Sequence, residues 1–100
     1  MNSFGISEKS YKLIIKVLMQ YPNIEKTIIY GSRAKGNFRR GSDIDLAITG
    51  EKLSPAIALE IAALLNEQEP IPYKLDVIHY ESICNSDLKE HIDRVGQEFC

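Results

Sequence analysis

A chain of 100 residues, 44% hydrophobic and 26% charged, has the composition of one small globular domain with a modest core and no room for a second, substrate-binding domain. Its 12 Lys and Arg against 14 Asp and Glu give a net charge of −2, so no global basic field advertises nucleic acid, and direct nucleic-acid binding is not expected. No signal peptide, membrane-spanning apolar run, internal repeat or low-complexity segment is readable, which makes the cytoplasm the expected location. Cys84 and Cys100 lack CxxC spacing and a neighbouring His pair, so they read as free thiols rather than zinc ligands.

The first predicted element is a helix capped by Ser7. Ile6 and Tyr11 form a hydrophobic staple, and Tyr11, Ile14, Ile15 and Leu18 repeat at helical spacing until Tyr21-Pro22 stops the run. Thr27, Ile28, Ile29 and Tyr30 follow as a short β-rich run that ends at Gly31-Ser32. Arg33, Ala34 and Lys35 can make one helical turn before Gly36. A strand, a tight turn and a helix start present unpaired N–H groups; Gly31 permits close backbone approach and Ser32 adds a hydroxyl, so this turn is a candidate phosphate cradle.

Arg33, Lys35, Arg39 and Arg40 then form a local basic cluster. It reads equally as a solvated loop or as help in holding a polyanion, with Arg33 the best single candidate because it follows Ser32. Next, Ile44, Leu46 and Ile48 alternate with Asp43, Asp45 and Ala47, the pattern of a strand with one apolar face and one face carrying the acids. Residues i and i+2 of a strand lie on one face, about 6.6 Å apart, so two carboxylates at this spacing can share a pair of hard cations. Alone, a DxD pair more often marks the solvent face of a strand, and a Gly-Ser turn more often marks an ordinary capped turn.

Ser54-Pro55 opens a second long helix with Ala58, Ile61, Ala62 and Leu65 on one side, ended by Glu69-Pro70-Ile71-Pro72. Residues 74 to 80, KLDVIHY, form a third strand in which Asp76 sits among Leu75, Val77 and Ile78, a costly place for an acid that has no role. His79 falls on the opposite strand face from Asp76 and His91 in a helix, and neither is expected to be catalytic. A last helix after Asn85-Ser86 carries Leu88, Ile92, Val95 and Phe99 on one side. The order of helix, strand, short helix, strand, helix, strand, helix predicts an α/β fold, a small mixed sheet packed with helices, as a single domain over residues 1–100.

The Gly-Ser pair, ten intervening residues and Asp-Ile-Asp followed by Leu46 together resemble the signature of the DNA polymerase beta superfamily of nucleotidyltransferases, and specifically its minimal, single-domain prokaryotic members. The resemblance covers residues 24 to 80 by motif. It implies that Asp76 is the family's third carboxylate, that Asp43, Asp45 and Asp76 are catalytic and hold two Mg²⁺ ions, and that Gly31, Ser32 and Arg33 bind the nucleotide, with ATP the default substrate. Nucleotidyl transfer needs charge neutralised at both the attacking and leaving oxygens, which a pair of Mg²⁺ ions does.

The resemblance further implies a partner. Minimal members pair with a small all-helical protein of the HEPN type, as antitoxin and toxin, and adenylylate a tyrosine of that partner. Two other readings stay open: a noncatalytic module that blocks its partner sterically, and a small-molecule, antibiotic-type nucleotidyltransferase whose acceptor cleft is completed by homo-oligomerisation.

Overall fold

The computed structural model describes residues 2–67 and 70–100. Their elements are α1 (Glu8–Leu18), β1 (Lys26–Tyr30), the one-turn α2 (Ser32–Lys35), β2 (Ile44–Thr49), α3 (Pro55–Glu67), β3 (Leu75–His79), a 3₁₀ turn (Tyr80–Ser82), α4 (Ser86–Val95) and β4 (Gln97–Glu98). The strands form one mixed sheet in the order β3-β2-β1-β4. β1 runs antiparallel to both β2 and β4, and β2 runs parallel to β3 through the α3 crossover.

Local chemistry sets most boundaries. Ser7 caps α1 by accepting from the Ser10 N–H at 3.2 Å, and Asn85 caps α4 by accepting from the N–H groups of Asp87 and Leu88. Ser54 does the same for α3 through Ile57 N–H. α1 ends at Leu18, ahead of the Tyr21-Pro22 stop expected for it, with the Met19 N–H closing onto Ile15 O. Of the breaker expected to end α3, Glu69 lies outside the described residues.

The two faces of the sheet are unequal. Ile44, Leu46 and Ile48 of β2, with Leu75 and Val77 of β3, meet Ile14, Val17 and Leu18 of α1 and Ala58, Ile61 and Leu65 of α3 in the main core. The other face, which carries the acids away from the main core, is partly roofed by α4: Tyr30, Ala47 and Ile92 form a second, smaller core edged by Ile28, Ile78 and Leu88.

The element that sequence periodicity missed is β4. Phe99 was expected on the last helix, but α4 stops at Val95, and Gln97 and Glu98 pair with Ile29 and Ile28. Phe99 therefore enters the main core, where Tyr11 packs on its ring at 4.8 Å and donates its hydroxyl to Phe99 O at 2.6 Å. His79 is buried, as its apolar strand setting suggests. Its Nδ1 meets Ser82 Oγ at 2.7 Å, and its Nε2 meets both Gly50 O (2.8 Å) and Glu81 Oε1 (3.2 Å). Two acceptors at Nε2 place a hydrogen there, and Ser82 Oγ pairs with Nδ1 on the other side of the ring. His79 is thus a tie between β3 and the end of β2.

Among the described residues no helix is long and apolar enough to cross a membrane.

Ile92 is the one fully covered residue of α4. Ile92→Ala is expected to cost about 2–4 kcal/mol, read as a lowered urea midpoint, with hydrogen exchange rising first in α4. Unchanged protection of α4 would contradict its role as the anchor of that roof.

Candidate active site

The β1–β2 hairpin brings the two halves of the motif together. Tyr30, the last residue of β1, stands opposite Asp45, so the chain leaving β1 passes directly over the Asp45 carboxylate. Only a glycine fits there: at Gly31 φ is +75°, and a Cβ would overlap Asp45 Oδ2. Ser32 then opens α2, which closes with Lys35 N–H on Gly31 O and Gly36 N–H on Ser32 O.

The parallel register of β2 and β3 aligns Asp45 with Asp76. Both lie on the α4 face of the sheet, Asp45 half-buried and Asp76 exposed. Asp43 is exposed and sits just before β2 rather than within it. The fold thus gathers all three acids at one end of two neighbouring strands. Burial, and next the charges of Asp76 and Asp43, push the Asp45 carboxyl above the usual carboxylate range, while His91 pulls the other way.

None of the ion pairs among the described residues involves these three acids. A cluster of mutually repelling carboxylates outside any ion pair suits a divalent cation. Among the described residues no three His, Cys, Asp or Glu side chains are grouped so as to hold a metal ion between them.

Arg33 corrects an expectation. Read from sequence as a nucleotide contact, it is instead only 1% exposed, the bulkiest fully buried side chain of the chain. Its Nη1 donates to Phe4 O at 2.8 Å, and its Nε and Nη2 donate to Ser42 O at 3.1 and 2.8 Å. The guanidinium lies 5.0 Å from the Phe38 ring centroid and 4.8 Å from that of Tyr73. The reason is geometric: α2 is a single turn against the sheet, and its second residue points inward. By holding Ser42, Arg33 positions Asp43, the next residue. Lys35, Arg39 and Arg40 remain exposed.

Two residues of this face went unread in the sequence. Tyr30 is buried beside the acids, its phenol pushed up to about 12 by burial and by the charges of Asp45 and Asp76. His91 of α4 stands edge-on to the Tyr30 ring at 6.3 Å. Tyr30 was legible only as a strand residue, and the placement of His91 depends on α4 packing back over the acid end, which no local pattern encodes.

Comparison with known proteins agrees with this geometry. Residues 12–100 match the family described as polymerase beta, nucleotidyltransferase. The chain is 30% identical over 98 residues to the probable protein adenylyltransferase MntA of Haemophilus influenzae, spanning 95% of this chain and 85% of that one. In fold it is similar to a toxin-antitoxin crystallised with AMP-PNP, at a TM-score of 0.74 and 24% identity over 90% of this chain and 72% of that one. It is similar also to a chain of the complex described as a tri-AMPylated Shewanella oneidensis HEPN toxin with MNT antitoxin, at a TM-score of 0.69 and 20% identity over 93% of this chain and 71% of that one.

Two outcomes test this geometry. Arg33→Ala strands the Phe4 and Ser42 carbonyls and is expected to destabilise by about 3 kcal/mol, seen in urea unfolding; a midpoint unchanged from wild type would show that Arg33 is dispensable. The raised Asp45 carboxyl means that the folded state holds its proton more tightly than the unfolded one. Without metal, stability is therefore lost as pH rises from the ordinary carboxylate range through the raised value. Asp45→Asn should accordingly unfold at a higher temperature than wild type at pH 7 in chelator, with the gap closing as pH falls through that window. An equal or lower unfolding temperature at pH 7 would count against a strained acid cluster.

By the match over residues 12–100 and by its curated relative, the chain belongs to the polymerase beta nucleotidyltransferase family.

Proposed function

We propose that this chain, acting as one domain over residues 1–100, is a Mg²⁺-dependent protein adenylyltransferase. It moves AMP from ATP to a tyrosine hydroxyl of a small helical HEPN-type partner in the cytoplasm and serves as that partner's antitoxin. The observation that carries the reading is the alignment of Asp45 with Asp76 across the parallel strands, beside Asp43 and beneath Gly31. The relative named as a probable protein adenylyltransferase supports it, as do the fold neighbours described as toxin-antitoxin complexes, one with AMP-PNP and one with an AMPylated toxin.

Each residue then has a task. Asp43 and Asp45 would hold the metal pair, which when bound supplies charge neutralisation at the triphosphate and the entering oxygen. Gly31 and Ser32 offer backbone N–H groups and a hydroxyl to the β- and γ-phosphates. Arg33 keeps Ser42 and hence Asp43 in place from below, with no contact to the nucleotide. Asp76, the exposed acid on β3, faces the side from which an acceptor arrives and takes the proton of the entering hydroxyl. The acceptor oxygen forms its bond to the α-phosphorus as the bond to pyrophosphate breaks, and pyrophosphate leaves. α4, with Tyr30 and His91, screens the inner side of the cluster from water.

Removing one acid should lower AMP transfer by about 10²–10³-fold or more, the scale seen when one group that stabilises developing charge is lost. The assay is transfer of label from α-³²P-ATP with Mg²⁺ to protein in a lysate of the source organism, for wild type, Asp43→Asn and Asp45→Asn. A labelled protein band from both variants at the wild-type rate would overturn the assignment.

A further inference from the structure

β4 is two residues long, and the segment that carries it is pinned at both ends. At its start Gly96 donates its N–H to Ile92 O at 2.8 Å, and a Cβ there would overlap both that carbonyl and the Ile28 side chain. At its end Phe99 donates its N–H to Thr27 O at 2.8 Å, accepts the Tyr11 hydroxyl at its carbonyl and buries its ring in the main core. Gln97, between them, stands opposite Ile29 in antiparallel register. Residues directly opposite, and residues two apart along an extended segment, share a face of the sheet. The Gln97 side chain therefore leaves on the face of Ile29 and Phe99, near the end of β1 that leads into α2.

There the amide crosses to a distant segment: Gln97 Nε2 donates to Ala34 O at 2.8 Å, 63 positions away in sequence. That carbonyl needs a partner from outside α2. The last carbonyls of a helix lack intrahelical donors, and in this four-residue turn Lys35 and Gly36 supply N–H groups only to Gly31 O and Ser32 O. Two side chains thus tie α2 to the rest of the domain. Arg33 reaches out to Phe4 and Ser42, and Gln97 reaches in from β4. At the start of the same turn stand Ser32 and Gly31, the latter packed against Asp45 Oδ2. A single helical turn moves as one piece, so a shift at Ala34 is carried to Ser32 and to the contact between Gly31 and Asp45.

We infer that Gln97 is a positioning residue of the nucleotide site. By holding Ala34 O it sets the place of Ser32 and of the Gly31 turn relative to the acids, and so the affinity for the triphosphate, with no contact to the nucleotide itself. The effect on affinity rests on the nucleotide site assigned above; the tie between β4 and α2 does not. Gln97 is exposed, so the tie can be removed without disturbing either core.

Gln97→Met keeps the length of the side chain and removes the donor. Glu98→Met, on the same strand with its side chain on the opposite face, is the control. The ¹⁵N spectrum of each full chain is recorded without nucleotide and then through a titration with AMP-PNP and Mg²⁺. In Gln97→Met the Gly31 and Ser32 amide signals should be displaced and those of α3 unmoved. The Kd for AMP-PNP should rise about three- to tenfold, the worth of one hydrogen bond, and Glu98→Met should match wild type in both respects. A purely structural effect would show instead as unfolded-chain signals, with the Kd of the folded chain unchanged. That result, unmoved Gly31 and Ser32 signals, or an equal rise of Kd in Glu98→Met would overturn the inference and leave the nucleotide site standing. A wild-type chain that binds no AMP-PNP with Mg²⁺ would overturn the nucleotide site and the inference together.

Discussion

A single buried guanidinium fixes the geometry of this small domain. Arg33 joins three segments: the N-terminal stretch at Phe4, the loop between α2 and β2 at Phe38 and Ser42, and Tyr73 on the approach to β3. Each of its three donor nitrogens meets a carbonyl, and rings stand within cation–π range, which is how a permanent charge is tolerated where only 1% of the residue is exposed. The loop between α2 and β2 has little regular structure to order it. Without that tie, the start of β2, and with it Asp43, would have no fixed place relative to the Gly31 turn.

Above this anchor the site is built from opposed demands. The sheet brings Asp45 beside Asp76 by strand register and under Gly31 by the hairpin, then covers Asp45 halfway with α4. Burial and the neighbouring Asp76 and Asp43 charges disfavour ionisation of Asp45, against which His91 of α4 acts. In a nucleotidyltransferase such a cost makes sense as stored affinity: like charges that repel in the free protein are relieved by a divalent cation and its bound phosphate. The neighbouring Tyr30 phenol, held neutral, lets the wall approach the acids without adding another charge. The cost of this acid is met by the hydrophobic cores on either side of the sheet.

The three long helices were legible because caps and periodicity state them locally: Ser7, Ser54 and Asn85 each cap the helix expected of them. The strand carrying Asp45 was legible by alternation, and the α/β class followed from the order of elements. What was hidden depends on tertiary context. Two residues of β4 carry no periodicity, and Phe99 at helical spacing from Ile92 and Val95 points to a longer helix; only pairing with β1 turns it into the core. Arg33 reads as an exposed cation next to a phosphate loop because sequence cannot show that a one-turn helix directs its second side chain inward. The face that carries the acids is partly roofed because α4 folds back over it, which also brings His91 to Tyr30.

The central claim is that one Mg²⁺-nucleotide site is formed where Gly31 passes over Asp45 and β3 presents Asp76. Paramagnetic broadening tests it most directly: Mn²⁺ in place of Mg²⁺, added with AMP-PNP to the ¹⁵N-labelled chain. The account predicts that the amide signals of Gly31, Ser32, Asp45 and Asp76 vanish first, at substoichiometric Mn²⁺, while those of α1 persist. Broadening that begins elsewhere, or that is unchanged in Asp45→Asn, would contradict it.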